Sequence, residues 1–247
     1  MTSPPHPRRA DALPRRGLEE LVDSPALAGS LDDGRPPSPS IDHTATVDVL
    51  LDDRPLRERA REIVEVPGSA WTRAAVHGAG VLAVLSLVAG LGWGVVGLAL
   101  MALVLLGVTL ARVLRLPGDL QLLLDLTLVV AAWAALLQLY QRWWWLDMVV
   151  HMVATGLLAV LAVTGLLRAG TFAAGTSRRG RRLGLAAVTL AVGLALAVVW
   201  EVGEWAGHTY LDPAIFVSYE DTIGDLAAGG AGSAVAAAWL AWRRDGR

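Results

Sequence analysis

From about residue 74 onward the chain is a succession of long apolar stretches divided by short polar ones, while residues 1–69 contain no comparable apolar run. A helix crosses a bilayer with roughly 20 mostly apolar residues, each adding about 1.5 Å. Six stretches meet that requirement, at about 74–92, 95–114, 119–140, 147–168, 183–205 and 221–242. Only Gly92-Trp93-Gly94 separates the first two. As one helix they would reach ~60 Å, twice the hydrocarbon thickness, so a hairpin is expected. The pattern predicts an all-α protein: a polytopic transmembrane helical bundle of about six spans over residues 70–247.

Residues 1–69 hold ten of the twelve prolines, interspersed with Ser, Asp and Arg. Such a composition buries too little apolar surface to offset chain entropy, and it predicts a disordered N-terminal tail. Within it, residues 55–66 have helical spacing and mixed charge and fit a short amphipathic helix. Arg8-Arg9 and Arg15-Arg16 are not followed by an apolar segment, which excludes a twin-arginine signal.

Charge orients the bundle. Lysine is absent, and twelve arginines lie beyond the tail. With the N-terminus inside, Arg73, Arg112, Arg115, Arg168, Arg178, Arg179, Arg181, Arg182, Arg243, Arg244 and Arg247 all fall on the inner side, and only Arg142 falls outside. Basic residues favour the cytoplasmic side, so both termini are expected there, in a bacterial inner membrane. Trp93, Trp143, Trp144, Trp145 and Trp205 then mark the outer interface, and Trp71, Trp239 and Trp242 the inner one. The absence of cysteine rules out disulfides, thiolate metal sites and Cys nucleophiles. A net charge of −2 argues against nucleic acid as a partner and leaves membrane lipids as the expected surroundings.

The acidic residues concentrate at the opposite side from the arginines. Asp147 and His151 are spaced i, i+4, Glu201 and Glu204 are spaced i, i+3, and Asp221 and Asp225 are spaced i, i+4. Each spacing puts both groups on one helix face. His208 extends the Glu201 face more weakly. Charges inside a bilayer are costly and normally face the bundle interior or a cavity. Asp147 and Asp221 also fit ordinary helix N-caps. Glu201 and Glu204 do not, since the C-terminal end of a helix dipole disfavours them. Asp147, His151, Glu201, Glu204, Asp221 and Asp225 are therefore the candidate ligands of a divalent metal ion, with His208 as a lesser one. Carboxylates with imidazole suit Mg, Mn, Ca, Fe or Zn, and two ions could be accommodated. Neither HExxH nor the ExxH of di-iron bundles occurs. His151, Glu201 and Glu204 are the candidate catalytic groups.

Other polar positions are less pointed. Asp125 is expected to be a lone buried acid bonded to a neighbouring helix, and Gln138, Tyr140 and Gln141 to line an outer cavity. Gly224, Ala228 and Gly232 form a small-residue stripe that predicts close helix packing.

The order Asp147-xxx-His151, Trp200-Glu201-xx-Glu204-Trp205, then Tyr219-Glu220-Asp221-Thr222-xx-Asp225-Leu226 resembles the YjdF-like inner-membrane proteins, and more distantly the VanZ-like proteins. The resemblance covers about residues 95–240. It implies a bacterial inner-membrane protein of uncharacterised biochemistry, and the VanZ-like proteins' link to glycopeptide tolerance implies envelope chemistry. These families usually carry Asn where this chain has Gly229.

Three functions fit such a site. One is a metal-dependent enzyme acting on an envelope or lipid-linked substrate, with His151 or a carboxylate as general base. A second is a non-catalytic membrane scaffold whose cluster only ties helices together. The third is a cation- or proton-coupled transporter. Against the third, the sequence shows no internal repeat, no mid-helix break and no polar chain toward the inner side.

Overall fold

The computed structural model describes residues 65–171 and 177–243. The tail, nearly all of the 55–66 segment, Arg244 and Arg247 lie outside the described residues. The described chain is helical: α1 Ala70–Gly90, α2 Gly94–Val113, α3 Gly118–Leu136, the short α4 Leu139–Arg142, α5 Trp144–Arg168, α6 Arg178–Tyr210 and α7 Tyr219–Arg243.

Among the described residues five stretches can cross a membrane by length and composition, the first being Ala70–Val113 at 44 residues. That stretch folds back on itself. A single helical turn, Leu91–Trp93, links its arms, and Gly94 follows at φ 66, a conformation that favours glycine. Arg112, near the end of α2, donates to the Val76 carbonyl near the start of α1 at 3.0 Å. Beside the turn, a Cβ on Gly90 would lie 3.1 Å from the Gly97 carbonyl oxygen, so two glycines let the arms approach. The stretch therefore supplies two antiparallel arms of membrane length, and the bundle has six in all.

Helix ends differ from the hydropathy limits where polar residues continue the backbone hydrogen bonding. The fifth span, expected at 183–205, is part of the 33-residue α6. Ser177 caps it, accepting from the Gly180 amide at 3.0 Å, and Arg178, Arg179, Arg181 and Arg182 form its first turns. At about 1.5 Å per residue α6 is ~50 Å long and extends beyond any hydrocarbon core.

The helices pack in two groups of three. Helices α1, α2 and α3 enclose Ala83, Met101, Val104, Val108, Val129 and Ala132. Helices α5, α6 and α7 enclose Val160, Val163, Leu185, Ala236 and Leu240. The groups meet where Leu161 of α5 joins Ala111, Leu116 and Leu124. In lipid, close packing rather than water exclusion holds helices together, so small residues matter most. Gly156 of α5 faces the Gly232 backbone of α7, and Gly193 of α6 faces Ser233. Leu and Val side chains such as Leu103, Leu106, Val198 and Val202 point outward, as lipid-facing residues do.

Asp125 departs from expectation. It is fully buried, yet neither carboxylate oxygen has a hydrogen-bond partner. Nor is it alone: Gln121, one turn away on α3, has an unpartnered buried amide oxygen, and Arg112 is the cation acting on the acid.

Candidate metal centre

The N-terminal end of α5, the C-terminal end of α6 and the N-terminal end of α7 lie at one end of the bundle. Among the described arginines all but Arg142 lie at the other; Arg168, for instance, reaches the Arg115 carbonyl at 3.4 Å. The acidic end carries Asp147 and His151 on α5, Glu201 and Glu204 on α6, and Asp221 and Asp225 on α7.

Six of the seven candidate ligands converge, all but His208. His151, Glu201, Glu204 and Asp225 each offer a ligand atom within 4.8 Å of the others, and Asp147, Asp221 and Asp225 do the same. His151 is central. Its Nε2 lies 3.4 Å from Asp147 Oδ1 and 3.7 Å from Asp225 Oδ2, and its Nδ1 lies 4.0 Å from Glu201 Oε1. None of these contacts is a well-formed hydrogen bond. An imidazole gives one nitrogen to a given ion; the two Nε2 contacts match the spacing of atoms around an ion, since ligands about 2.1 Å from a metal sit roughly 3.0–4.2 Å apart, while Glu201 lies on the Nδ1 side of the ring. Asp225 is 2% exposed and Glu201 8%.

The helix-cap alternatives do not hold. Ser218 caps α7, its Oγ accepting from the Asp221 amide at 3.1 Å, so the Asp221 side chain is free to face the site. Asp147 lies in the first turn of α5, after Trp144, and is not the capping residue. The dipole argument for Glu201 and Glu204 also weakens. Helix α6 runs on to Tyr210, so both lie before its last turn, where dipole effects fall off. Burial together with like charge is what makes their placement costly.

Among the described residues no arginine relieves that cost. The Arg142 guanidinium is 5.7 Å from the Trp143 ring centroid and makes no ion pair with the cluster. His208 is also turned away, its Nδ1 lying 2.6 Å from the Ile215 carbonyl in the α6–α7 loop. It braces that loop and is absent from both groups of ligand atoms.

Sequence reasoning assigned no role to two supporting residues. The Thr222 hydroxyl hydrogen-bonds Glu201, and the Trp200 indole hydrogen-bonds Glu204. Trp200 also meets His151 edge-to-face, with centroids 6.5 Å apart. Their signal in the chain was position, as both stand within the resembling motifs, Trp200 preceding Glu201 and Thr222 following Asp221. Of the expected cavity residues, Gln138 and Gln141 are exposed. Tyr140 donates to the Ala131 carbonyl at 3.0 Å. Burial and the nearby Asp147, Glu204 and Asp225 carboxylates push its phenol above the usual range, so it stays protonated.

Gly229, where the resembling families usually carry Asn, is one turn beyond Asp225. A Cβ there would lie 3.1 Å from Thr155 Oγ1 and 3.2 Å from the Ala197 Cβ, so three helices close tightly beneath the cluster.

Fold and site together define a multi-pass helical membrane protein with a buried carboxylate–histidine cluster at one end of its bundle. Residues 73–246 match the model of the family described as "Predicted membrane protein (DUF2238)", and the chain belongs to that family. No curated protein and no solved structure matches it.

Proposed function

We propose that the cluster binds a divalent metal and that the protein is a metal-dependent enzyme acting on a lipid-linked or envelope substrate at the outer face of a bacterial inner membrane. The observation that carries this reading is the convergence of five carboxylates and one imidazole from three helices, within ligand spacing and, among the described residues, without an arginine. A bound cation would offset the charge and lower the pKa of a coordinated water, making a hydroxide nucleophile for a phosphoryl or acyl centre. Glu204, whose carboxylate lies within 4.8 Å of the other groups of its set, would help hold that cation, and His151 or a carboxylate of the cluster would take the water's proton.

Placement supports the substrate class. Trp144, Trp145, Trp205, Tyr210 and Tyr219 are exposed at the same end as the site. Aromatic residues in such a belt sit at headgroup level, where the reacting part of a lipid-linked molecule lies. The likeness to the YjdF-like proteins, and more distantly to the VanZ-like proteins, fits envelope chemistry. The transport reading gains less support: beneath the site, Ser233 and Thr189 donate to the Gly229 and Leu185 carbonyls of their own helices at 2.8 and 2.7 Å.

Metal analysis of gently purified full-length protein tests the proposal. Bound divalent metal in the native protein, lost in Glu201→Gln/Glu204→Gln, is the expected result. Metal-free protein whose stability is undiminished by those substitutions would overturn the enzyme reading.

A further inference from the structure

We propose that the site is dinuclear, with Asp225 as the bridging ligand between two divalent cations. This deepens the metal-site reading and rests on it.

Two ligand sets are present, and they share one residue. His151, Glu201 and Glu204 complete the first with Asp225, while Asp147 and Asp221 complete the second with it. A carboxylate has two oxygens and can give one to each ion, which places bridged metals about 3.5–4 Å apart, the separation of two-metal catalytic sites. Asp225 is suited to this. It is 2% exposed, the most buried of the three acids facing His151, and no hydrogen-bond donor among the described residues engages its carboxylate. Both of its oxygens are free for metal. Glu201 and Glu204, by contrast, are steadied by Thr222 and Trp200.

Charge points the same way. Five ionised carboxylates carry −5. One divalent cation leaves −3 in a buried site that no described arginine contacts, and a second leaves −1. Like charges a few ångströms apart repel strongly where water is excluded, so the second cation removes a large repulsion. The sets also differ in character. The first has an imidazole nitrogen, whereas the second is all oxygen and suits harder ions such as Mg or Mn. Mn(II) is compatible with both and serves as the probe.

The full-length protein, purified in detergent, is loaded with Mn(II), freed of excess ion, and examined for metal content and by low-temperature electron paramagnetic resonance. The expected result is two Mn per chain with a spin-coupled spectrum. Asp147→Asn/Asp221→Asn should retain one uncoupled Mn, and Asp225→Asn should abolish the coupling. One Mn per chain in the native protein would overturn the dinuclear proposal while leaving a metal site intact. Two uncoupled ions would overturn the bridging role of Asp225. Native protein that takes up no Mn and no other divalent metal would overturn the metal-site reading itself.

Discussion

The Cα of Gly232 on α7 lies against the backbone carbonyl of Met152 on α5, so close that an added Cβ would overlap the carbonyl oxygen. Met152 follows His151, and Gly232 lies two turns along α7 from Asp225. This contact therefore sets how near the two helices bring their ligands.

Gly232→Val should force the helices apart. Overpacking typically costs about 1–3 kcal/mol, and here the obstacle is backbone, which cannot rotate away. The expected outcome is a lower melting temperature in detergent together with reduced metal content. Gly78→Val, at a position with nothing within 4 Å of an added Cβ, serves as the control and should change neither. Equal metal binding in both variants would show that α5–α7 spacing does not govern the site.

His208→Ala separates loop bracing from ligation. His208 meets the Ile215 carbonyl and lies outside both ligand groups. Losing a single hydrogen bond of this kind costs about 1 kcal/mol. Metal content should stay at the native level while limited proteolysis of the 211–218 loop becomes faster. Loss of metal would place His208 among the ligands.

Asp125→Asn probes the buried acid in the other helix group. The carboxylate is unpartnered, and an amide could donate to the unpartnered Gln121 oxygen one turn away. Relieving an unsatisfied buried group is worth about 1–3 kcal/mol. The melting temperature should therefore rise slightly with metal content unchanged. A fall would mean that Asp125 and Arg112 act as an ion pair.

Orientation can be checked directly. With the arginine end inside, a reporter active only in the periplasm should be silent when fused after Arg247, and fusion in the 211–218 loop should give signal. The reverse pattern would place the acidic cluster on the cytoplasmic side.

Much of the fold was legible in the chain. A bilayer imposes a length, so stretches of roughly 20 apolar residues identify the spans. Gly92-Trp93-Gly94 marked the hairpin because a continuous helix would be too long. The helical pairs of the candidate site were equally legible, since i, i+3 and i, i+4 spacing is a property of one helix. Their convergence was not. It depends on the rotation and spacing of α5, α6 and α7, which follow from contacts between residues far apart in the chain.

The sequence by itself determined that apolar helices of membrane length follow one another, that arginines gather at one end, and that acids gather at the other. These are consequences of local composition and helix geometry. Only the tertiary structure decided that Ser218 rather than Asp221 caps α7, that His208 turns to Ile215, and that Asp225 stands between two ligand sets. Each of those outcomes depends on which side chain reaches a given space first, and the glycine contacts between α5 and α7 define that space.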